Sequence, residues 1–399
     1  MAESREIFVS IMLDEETLPI GKLWSYYRKG RTSAAFEYNK EWLETPRRFA
    51  LEPALRLTAG LHHTDKALFG AIGDSAPDRW GRVLMRRANK TGRTLSELDY
   101  LLGVNDETRQ GALRFSEEPD GPYLACSEKN SIPPLVKLPN LLSAAENFIE
   151  NSESAAELKL LLTPGSSLGG ARPKASVMDK DSSLAIAKFP RKDDETEVVL
   201  WEAAALTMAK SAGINVPQWR LENILGKYVL IIKRFDREGK KRLPFLSAMS
   251  KLAAADNDGL VHSYSEIAGA LVQHGAQPDK DLKELWRRMV FGILISNTDD
   301  HLRNHGFLYT GTGWTLSPAY DLNPNSEKAV FATAIDATGA KSTIELAMKA
   351  AKDFRLHDQD AKEILEQVKS AVSDWRKTAK SLGISEKNTE KMAPAFFRT

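Results

Sequence analysis

The sequence predicts an α+β chain, and three patterns carry that expectation. Alternating apolar positions in I-F-V-S-I-M-L (residues 7–13) have the period of two of a half-buried strand. The runs V-V-L-W-E-A-A-A-L-T-M-A-K-S-A-G (198–213) and D-A-K-E-I-L-E-Q-V-K-S-A-V-S-D-W (360–375) repeat their apolar residues at helical spacing. The third is length: 399 residues, 42% hydrophobic and 27% charged, suffice for one large core or two to three ordinary ones. With 55 basic and 54 acidic residues the net charge is +1, so no global field selects nucleic acid or an anionic membrane. One cysteine, Cys126, excludes an internal disulfide framework. The polar start M-A-E-S-R-E lacks the layout of a secretory signal, and no run approaches a membrane span, so a cytoplasmic protein without membrane contact is expected.

Residues 1–110 read as a small α+β subdomain. In F-G-A-I-G-D-S-A-P-D-R-W-G-R-V-L-M-R-R-A, Pro77 marks a helix start with Asp74 or Ser75 near the cap, and Trp80, Val83, Leu84 and Ala88 follow at helical spacing, Trp80 as a core residue. Pro119, Pro122, Pro133, Pro134 and Pro139 then make 111–140 a connecting segment, with a boundary near 140. From 141 to 240 comes L-L-T-P-G-S-S-L-G-G-A-R-P-K-A-S-V-M (161–178), whose small residues let backbone N–H groups approach a phosphate. It is neither a Walker A sequence nor G-x-G-x-x-G, and alone it also fits a flexible surface turn. S-S-L-A-I-A-K-F-P then reads as a strand ending at Lys188, and Glu202 sits in the helix closed by Gly213. K-Y-V-L-I-I-K-R-F-D-R (227–237) is an apolar strand with a charged exit at Lys233, Arg234 and Phe235, where an adenine would be met by backbone groups. From 241 to 399 helices dominate. Leu285, Met289, Val290, Ile293 and Leu294 mark a buried helix before a polar loop, and residues 343–383 read as an all-α bundle.

The segment I-S-N-T-D-D-H-L-R-N-H-G-F-L-Y-T-G-T-G-W-T-L-S-P-A-Y-D-L-N (295–323) is where chemistry concentrates. Asp299 and Asn304 have the D-x-x-x-x-N spacing of a phosphoryl-transfer loop, in which the Asp accepts the substrate hydroxyl proton and the Asn holds Mg²⁺. G-F-L-Y and W-T-L around T-G-T-G read as a hairpin that returns Asp321 beside Asn304 as the second metal ligand. N-T-D-D-H is also an ordinary polar loop sequence. His301 and His305 raise zinc, but there is no H-E-x-x-H, and Mg²⁺ with phosphate oxygens suits an amide and a carboxylate better. Glycine-rich turn, strand Lys188, helix Glu202, then Asp299, Asn304 and Asp321 is the chain order of a kinase, where the Lys holds phosphate and the Glu pairs with the Lys.

D-S-A-P-D-R-W-G-R (74–82), S-L-G-G-A-R-P-K (167–174), A-K-F-P (187–190), K-R-F-D-R (233–237), N-T-D-D-H-L-R-N (297–304) and L-S-P-A-Y-D-L (316–322) together resemble the HipA family of bacterial toxin–antitoxin serine/threonine kinases, over nearly the whole chain. The resemblance implies a divergent, two-lobed, protein-kinase-like fold with a small N-terminal α+β subdomain and an all-α C-terminal lobe. It implies Asp299 as catalytic residue and Asn304 and Asp321 as Mg²⁺ ligands. The nucleotide set becomes Gly169, Gly170, Ala171, Arg172, Pro173, Lys174, Lys188, Lys233, Arg234, Phe235, His301, Asn304, Tyr320 and Asp321, with ATP and Mg²⁺ as cofactors. Glu202 becomes the structural ion-pair partner, and Ser167 the autophosphorylated serine that shuts the kinase off. Ala171 and Arg172 depart from the Val-Gln or Ala-Gln usual in the family's loop, adding a positive charge near the nucleotide. The implied partners are a helix-turn-helix antitoxin, operator DNA reached through it, and a host protein substrate of the aminoacyl-tRNA synthetase kind. A small-molecule or lipid kinase would share these residues and differ in the acceptor groove, whereas a co-repressor module without turnover would be free to lose them.

Overall fold

Apolar alternation at the N-terminus becomes β1 (Glu3–Leu13), in a computed structural model that describes residues 3–28, 31–119, 121–125, 132–165, 170–256, 258–339 and 341–397. Ile7, Val9 and Ile11 point one way from the strand and are buried. β2 (Glu16–Arg28) and β3 (Arg31–Tyr38) continue the antiparallel meander, followed by α1 (Lys40–Glu44) and β4 (His62–Thr64). The pairing of β1 with β2 slips between Val9 and Ser10, opposite Gly21 and Pro19. That bulge falls where the backbones crowd, since a Cβ on Gly21 would lie 2.2 Å from the Glu37 carbonyl oxygen. After α2 (Gly70–Gly73), α3 (Arg79–Ala88) and α4 (Glu97–Leu102), β5 (Leu113–Ser116) pairs with β1 and completes a sheet of order β4-β3-β2-β1-β5.

Helix α3 is capped by Asp78, which accepts from the Gly81 N–H at 2.8 Å, and not by Asp74 or Ser75. Asp74 instead ends α2. Next come α5 (Leu138–Ile149), α6 (Ala155–Gly165) and the antiparallel pair β6 (Lys174–Met178) and β7 (Leu184–Lys188). The chain divides into two compact units, residues 1–189 with 233–246 and residues 190–232 with 247–399. No division falls near residue 140, because the segment expected to be a linker is tied in. β5 belongs to the N-terminal sheet, Pro133 accepts from the Met178 N–H at 3.0 Å, and α6 packs on α3.

In the second unit α7 (Val198–Ser211) is buried nearly all round, with Trp201 in van der Waals reach of Trp375 and Phe396. β8 (Trp219–Ile224) and β9 (Lys227–Lys233) form a hairpin. The chain then contributes the two-residue ribbon strands β10 (Arg237–Glu238) and β11 (Lys241–Arg242) to the first unit. After β12 (Phe245–Ser247) and α8 (Ala248–Lys251), α9 (Tyr264–His274) packs on α10 (Pro278–Leu294). The expected hairpin is β13 (Gly306–Tyr309) with β14 (Trp314–Leu316), part of a three-stranded sheet of order β12-β13-β14. Helices α11 (Ile344–Ala350), α12 (Asp358–Ser373), α13 (Trp375–Ser381) and α14 (Glu386–Met392) complete the all-α C-terminal part. Among the described residues no helix is long and apolar enough to cross a membrane.

Candidate active site

Helix α10 buries Leu285, Met289, Val290, Ile293 and Leu294, the apolar face expected from the sequence, each stabilising by about 1.5–3 kcal/mol. Its end is sharp: Ser296 takes a left-handed φ of 49° and redirects the chain into the loop 297–305. Within that loop His301 N–H donates to the Asp299 carbonyl at 3.0 Å and Asn304 N–H to the His301 carbonyl at 2.8 Å. Asn304 Nδ2 donates to the same Asp299 carbonyl at 3.1 Å. The donating end of this amide is therefore fixed, which leaves Oδ1 as its accepting end. Asn304 is buried, while the Asp299 side chain is 73% exposed, with Lys328 Nζ 4.0 Å from its Oδ1.

The hairpin returns the chain to this loop. Ser317 N–H donates to the Gly306 carbonyl at 2.9 Å, and the Tyr320 hydroxyl to the Arg303 carbonyl at 2.7 Å, one residue before Asn304. Asp321 follows with φ 58°, a left-handed conformation that costs a non-glycine residue about 1–3 kcal/mol. Neighbouring bonds hold it there. Asn323 N–H donates to Asn297 Oδ1 at 3.1 Å and Asn325 N–H to the Ser296 carbonyl at 3.1 Å. Asn297 thus fastens the Asp321 segment to the loop, a role its place in N-T-D-D-H did not announce. An amide oxygen and a carboxylate on adjoining backbone segments suit Mg²⁺, which fills its remaining positions with phosphate oxygens and water. His301 Nδ1 is buried without a hydrogen-bond partner among the described residues, an orphaned atom at the edge of this site.

Behind the loop lie two further buried groups. The Tyr264 hydroxyl donates to Asp300 Oδ2, and His305 Nε2 is 3.2 Å from the same oxygen, off the axis of a linear hydrogen bond. Burial works to raise the Asp300 carboxyl, but His305 and the Tyr264 hydroxyl outweigh it and hold the group below the usual carboxylate range. Burial and the Asp300 charge push the Tyr264 phenol well above its ordinary value.

The second constellation lies in the first unit. Gly170 has φ 97°, and its carbonyl accepts from Trp80 N–H at 3.4 Å. Gly170 and Ala171 are exposed and Arg172 half-buried, while Pro173 and Lys174 are buried. Lys174 Nζ sits 3.1 Å from Asp78 Oδ2, and Trp80 Nε1 donates to the Lys174 carbonyl at 3.0 Å. Lys174 is therefore a buried ion-pair partner that fastens β6 to the cap of α3. Trp80 is in the core, edge-on to Phe148 at 5.3 Å, and also supports this turn. Lys188 ends β7 directly opposite Lys174 in the strand register. Glu202 is buried on α7 of the second unit. Gly169 and Ser167 lie outside the described residues.

At the charged exit, Arg234 is buried among protein partners. Its N–H donates to the Leu184 carbonyl at 2.9 Å, and its guanidinium bonds both Asp236 oxygens at 2.6 Å and the Thr108 carbonyl at 3.0 Å. Among the described residues its backbone donor and its guanidinium thus both have protein partners. Lys233 Nζ meets Asp181 at 3.1 Å on the surface, and Phe235 packs against Phe245. Among the described residues no three His, Cys, Asp or Glu side chains converge as a metal cage.

Comparison with known proteins places these features in a family. The chain is 29% identical over 180 residues to a Haemophilus influenzae protein named "Putative kinase", covering 39% of this chain and 52% of that protein. It is 32% identical over 137 residues to "Putative kinase Y4dM" of Sinorhizobium fredii, covering 30% of this chain and 32% of that one. The chain thus spans between a third and about half the length of these curated relatives. Among solved structures, the HipA of the Shewanella oneidensis toxin–antitoxin complex with HipB and operator DNA superposes with a TM-score of 0.71 at 17% identity, covering 97% of this chain and 94% of that one. The shared fold is α+β. Residues 10–116 match the HipA N-terminal domain and residues 166–375 the HipA-like C-terminal domain, and on that coverage the chain belongs to the HipA family.

Proposed function

We propose that this chain is an ATP- and Mg²⁺-dependent serine/threonine protein kinase that acts as the toxin of a toxin–antitoxin pair. The observation that carries the reading is the closed D-x-x-x-x-N loop, in which the exposed Asp299 carboxylate and the fixed Asn304 amide share one short segment joined through Tyr320 to Asp321. Asp299 orients the acceptor hydroxyl and takes its proton, Asn304 and Asp321 hold the metal, and Lys188 holds the nucleotide. Bound Mg²⁺ neutralises charge on the β- and γ-phosphates. The partner is a small helix-turn-helix antitoxin, HipB-like, through which the chain reaches operator DNA. The target is a host protein of the translation machinery, such as an aminoacyl-tRNA synthetase, in the cytoplasm. Ser167, phosphorylated by the enzyme itself, is the off switch, since about −1.5 to −2 added charges repel the nucleotide.

The test is incubation with labelled ATP, Mg²⁺ and host lysate, with mapping of modified proteins and of the chain itself. Wild-type protein is expected to label a host protein and Ser167. Asp299→Asn is expected to stay folded and to transfer phosphate about a hundred- to ten-thousandfold more slowly. Equal labelling by both proteins would remove Asp299 from catalysis, and label confined to a small molecule would give the fold a different acceptor.

A further inference from the structure

The two loop residues that the proposed chemistry uses are each followed by a residue it does not use. Asp299 precedes Asp300 and Asn304 precedes His305. Asp300 and His305 are both buried, and they meet beneath the loop, His305 Nε2 3.2 Å from Asp300 Oδ2. Tyr264, the first residue of α9, joins them: its hydroxyl donates to Asp300 Oδ2, and its ring stands edge-on to His305 at 5.1 Å. Each partner is also fixed from outside. Thr333 Oγ1 donates to the Asp300 carbonyl at 2.6 Å, and the His305 carbonyl accepts from Ala248 N–H at 2.7 Å.

We propose that Asp300, His305 and Tyr264 are positioning residues that set the separation of Asp299 from Asn304. The inference rests on the kinase reading above. A loop held only by its own turns can spread, and a displacement of about 1 Å between an acid–base group and a metal ligand costs around a hundredfold in rate. A contact across the base of the loop, five residues apart like the pair it serves, resists that spreading. Because the three side chains act through one shared oxygen, Oδ2 of Asp300, they act as a unit.

The experiment compares Asp300→Asn, His305→Gln, the double variant and Tyr264→Phe, the last removing only the hydroxyl. Phosphate transfer from labelled ATP to host lysate protein and the Mg²⁺ concentration for half-maximal rate are read together, with the melting curve reporting folded protein. Each single variant is expected to lower the rate at saturating ATP about ten- to a hundredfold and to raise the Mg²⁺ requirement, with the KM for ATP within about twofold of wild type. The double variant is expected to be no slower than the worse single one. Rate losses that multiply in the double variant, or that track loss of folded protein at an unchanged Mg²⁺ requirement, would overturn the proposal. If Tyr264→Phe alone folds, an unchanged rate and Mg²⁺ requirement in that variant would overturn the coupling. Wild-type protein with no more transfer than Asp299→Asn would refute the kinase reading itself, a result distinct from any pattern among the four variants.

Discussion

Replacing Asp236 by alanine tests the buried charge network beneath the K-R-F-D-R motif. Asp236 accepts two bonds from Arg234 at 2.6 Å, one from Arg237 Nη1 at 2.9 Å and one from the Gly111 N–H at 2.8 Å. Burial would raise its carboxyl, but Arg234 and then Arg237 outweigh it and hold the group well below the ordinary carboxylate range. Burial also pulls Arg237 down to about 9, even beside this counter-charge. Alanine therefore strands two buried guanidinium groups, and leaving a buried charge uncompensated costs about 3–5 kcal/mol. Against the roughly 5–15 kcal/mol that folded proteins hold in reserve, this is a large fraction. Urea titration followed by tryptophan fluorescence is expected to show an earlier midpoint at an unchanged slope. A carboxyl held low in the folded state contributes stability that is present above its unfolded value near 3.9 and lost as pH falls through the folded one. The gap between wild type and variant is thus expected at pH 7 and should shrink in strong acid. A loss under about 1 kcal/mol at pH 7 would refute the reasoning, because it would mean that the arginines find water or other acceptors once Asp236 is gone.

Asp321→Ala is expected to weaken Mg²⁺-dependent ATP binding while leaving metal-free binding nearly unchanged, and calorimetry giving equal affinities with Mg²⁺ would take Asp321 out of the metal site. Glu52 lies buried at the start of α2, accepts from the Ala71 N–H, and is pushed up to about 7, chiefly by burial. Its proton binds more tightly in the folded state, so its contribution is complete below the unfolded value near 4.5 and lost as pH rises through 7. That contribution is about 3 kcal/mol, and Glu52→Gln should remove this fall in melting temperature between pH 5 and 8; a variant with the wild-type slope would place the titration elsewhere. Trp80→Phe keeps the contact with Phe148 but loses the bond to the Lys174 carbonyl, an expected cost of about 1–3 kcal/mol in chemical denaturation. No measurable change would show that water replaces the indole N–H.

Periodicity made the elements legible: the alternation of β1, the apolar faces of α7, α10 and α12, and the β13–β14 hairpin all follow from side chains three to four, or two, positions apart. The D-x-x-x-x-N spacing was legible for the same reason, since Asp299 and Asn304 lie on one short loop. Contacts between distant segments were not. Proline content suggested a linker over 111–140, yet pairing of β5 with β1 and of Pro133 with Met178 ties that stretch into the first unit. Lys174 was expected among the nucleotide contacts from the family resemblance of its loop, and Arg234 from its place at the charged exit of an apolar strand. Their burial beside Asp78 and Asp236 was not legible, and the Asp78 pairing joins residues 96 positions apart. Sequence alone determined which residue types stand at which local spacing, because helix, strand and turn geometry act over a few residues. Tertiary structure alone decided which charges are buried in pairs and which, like Asp299, stay exposed, because desolvation and ion pairing depend on neighbours that the chain brings together only on folding.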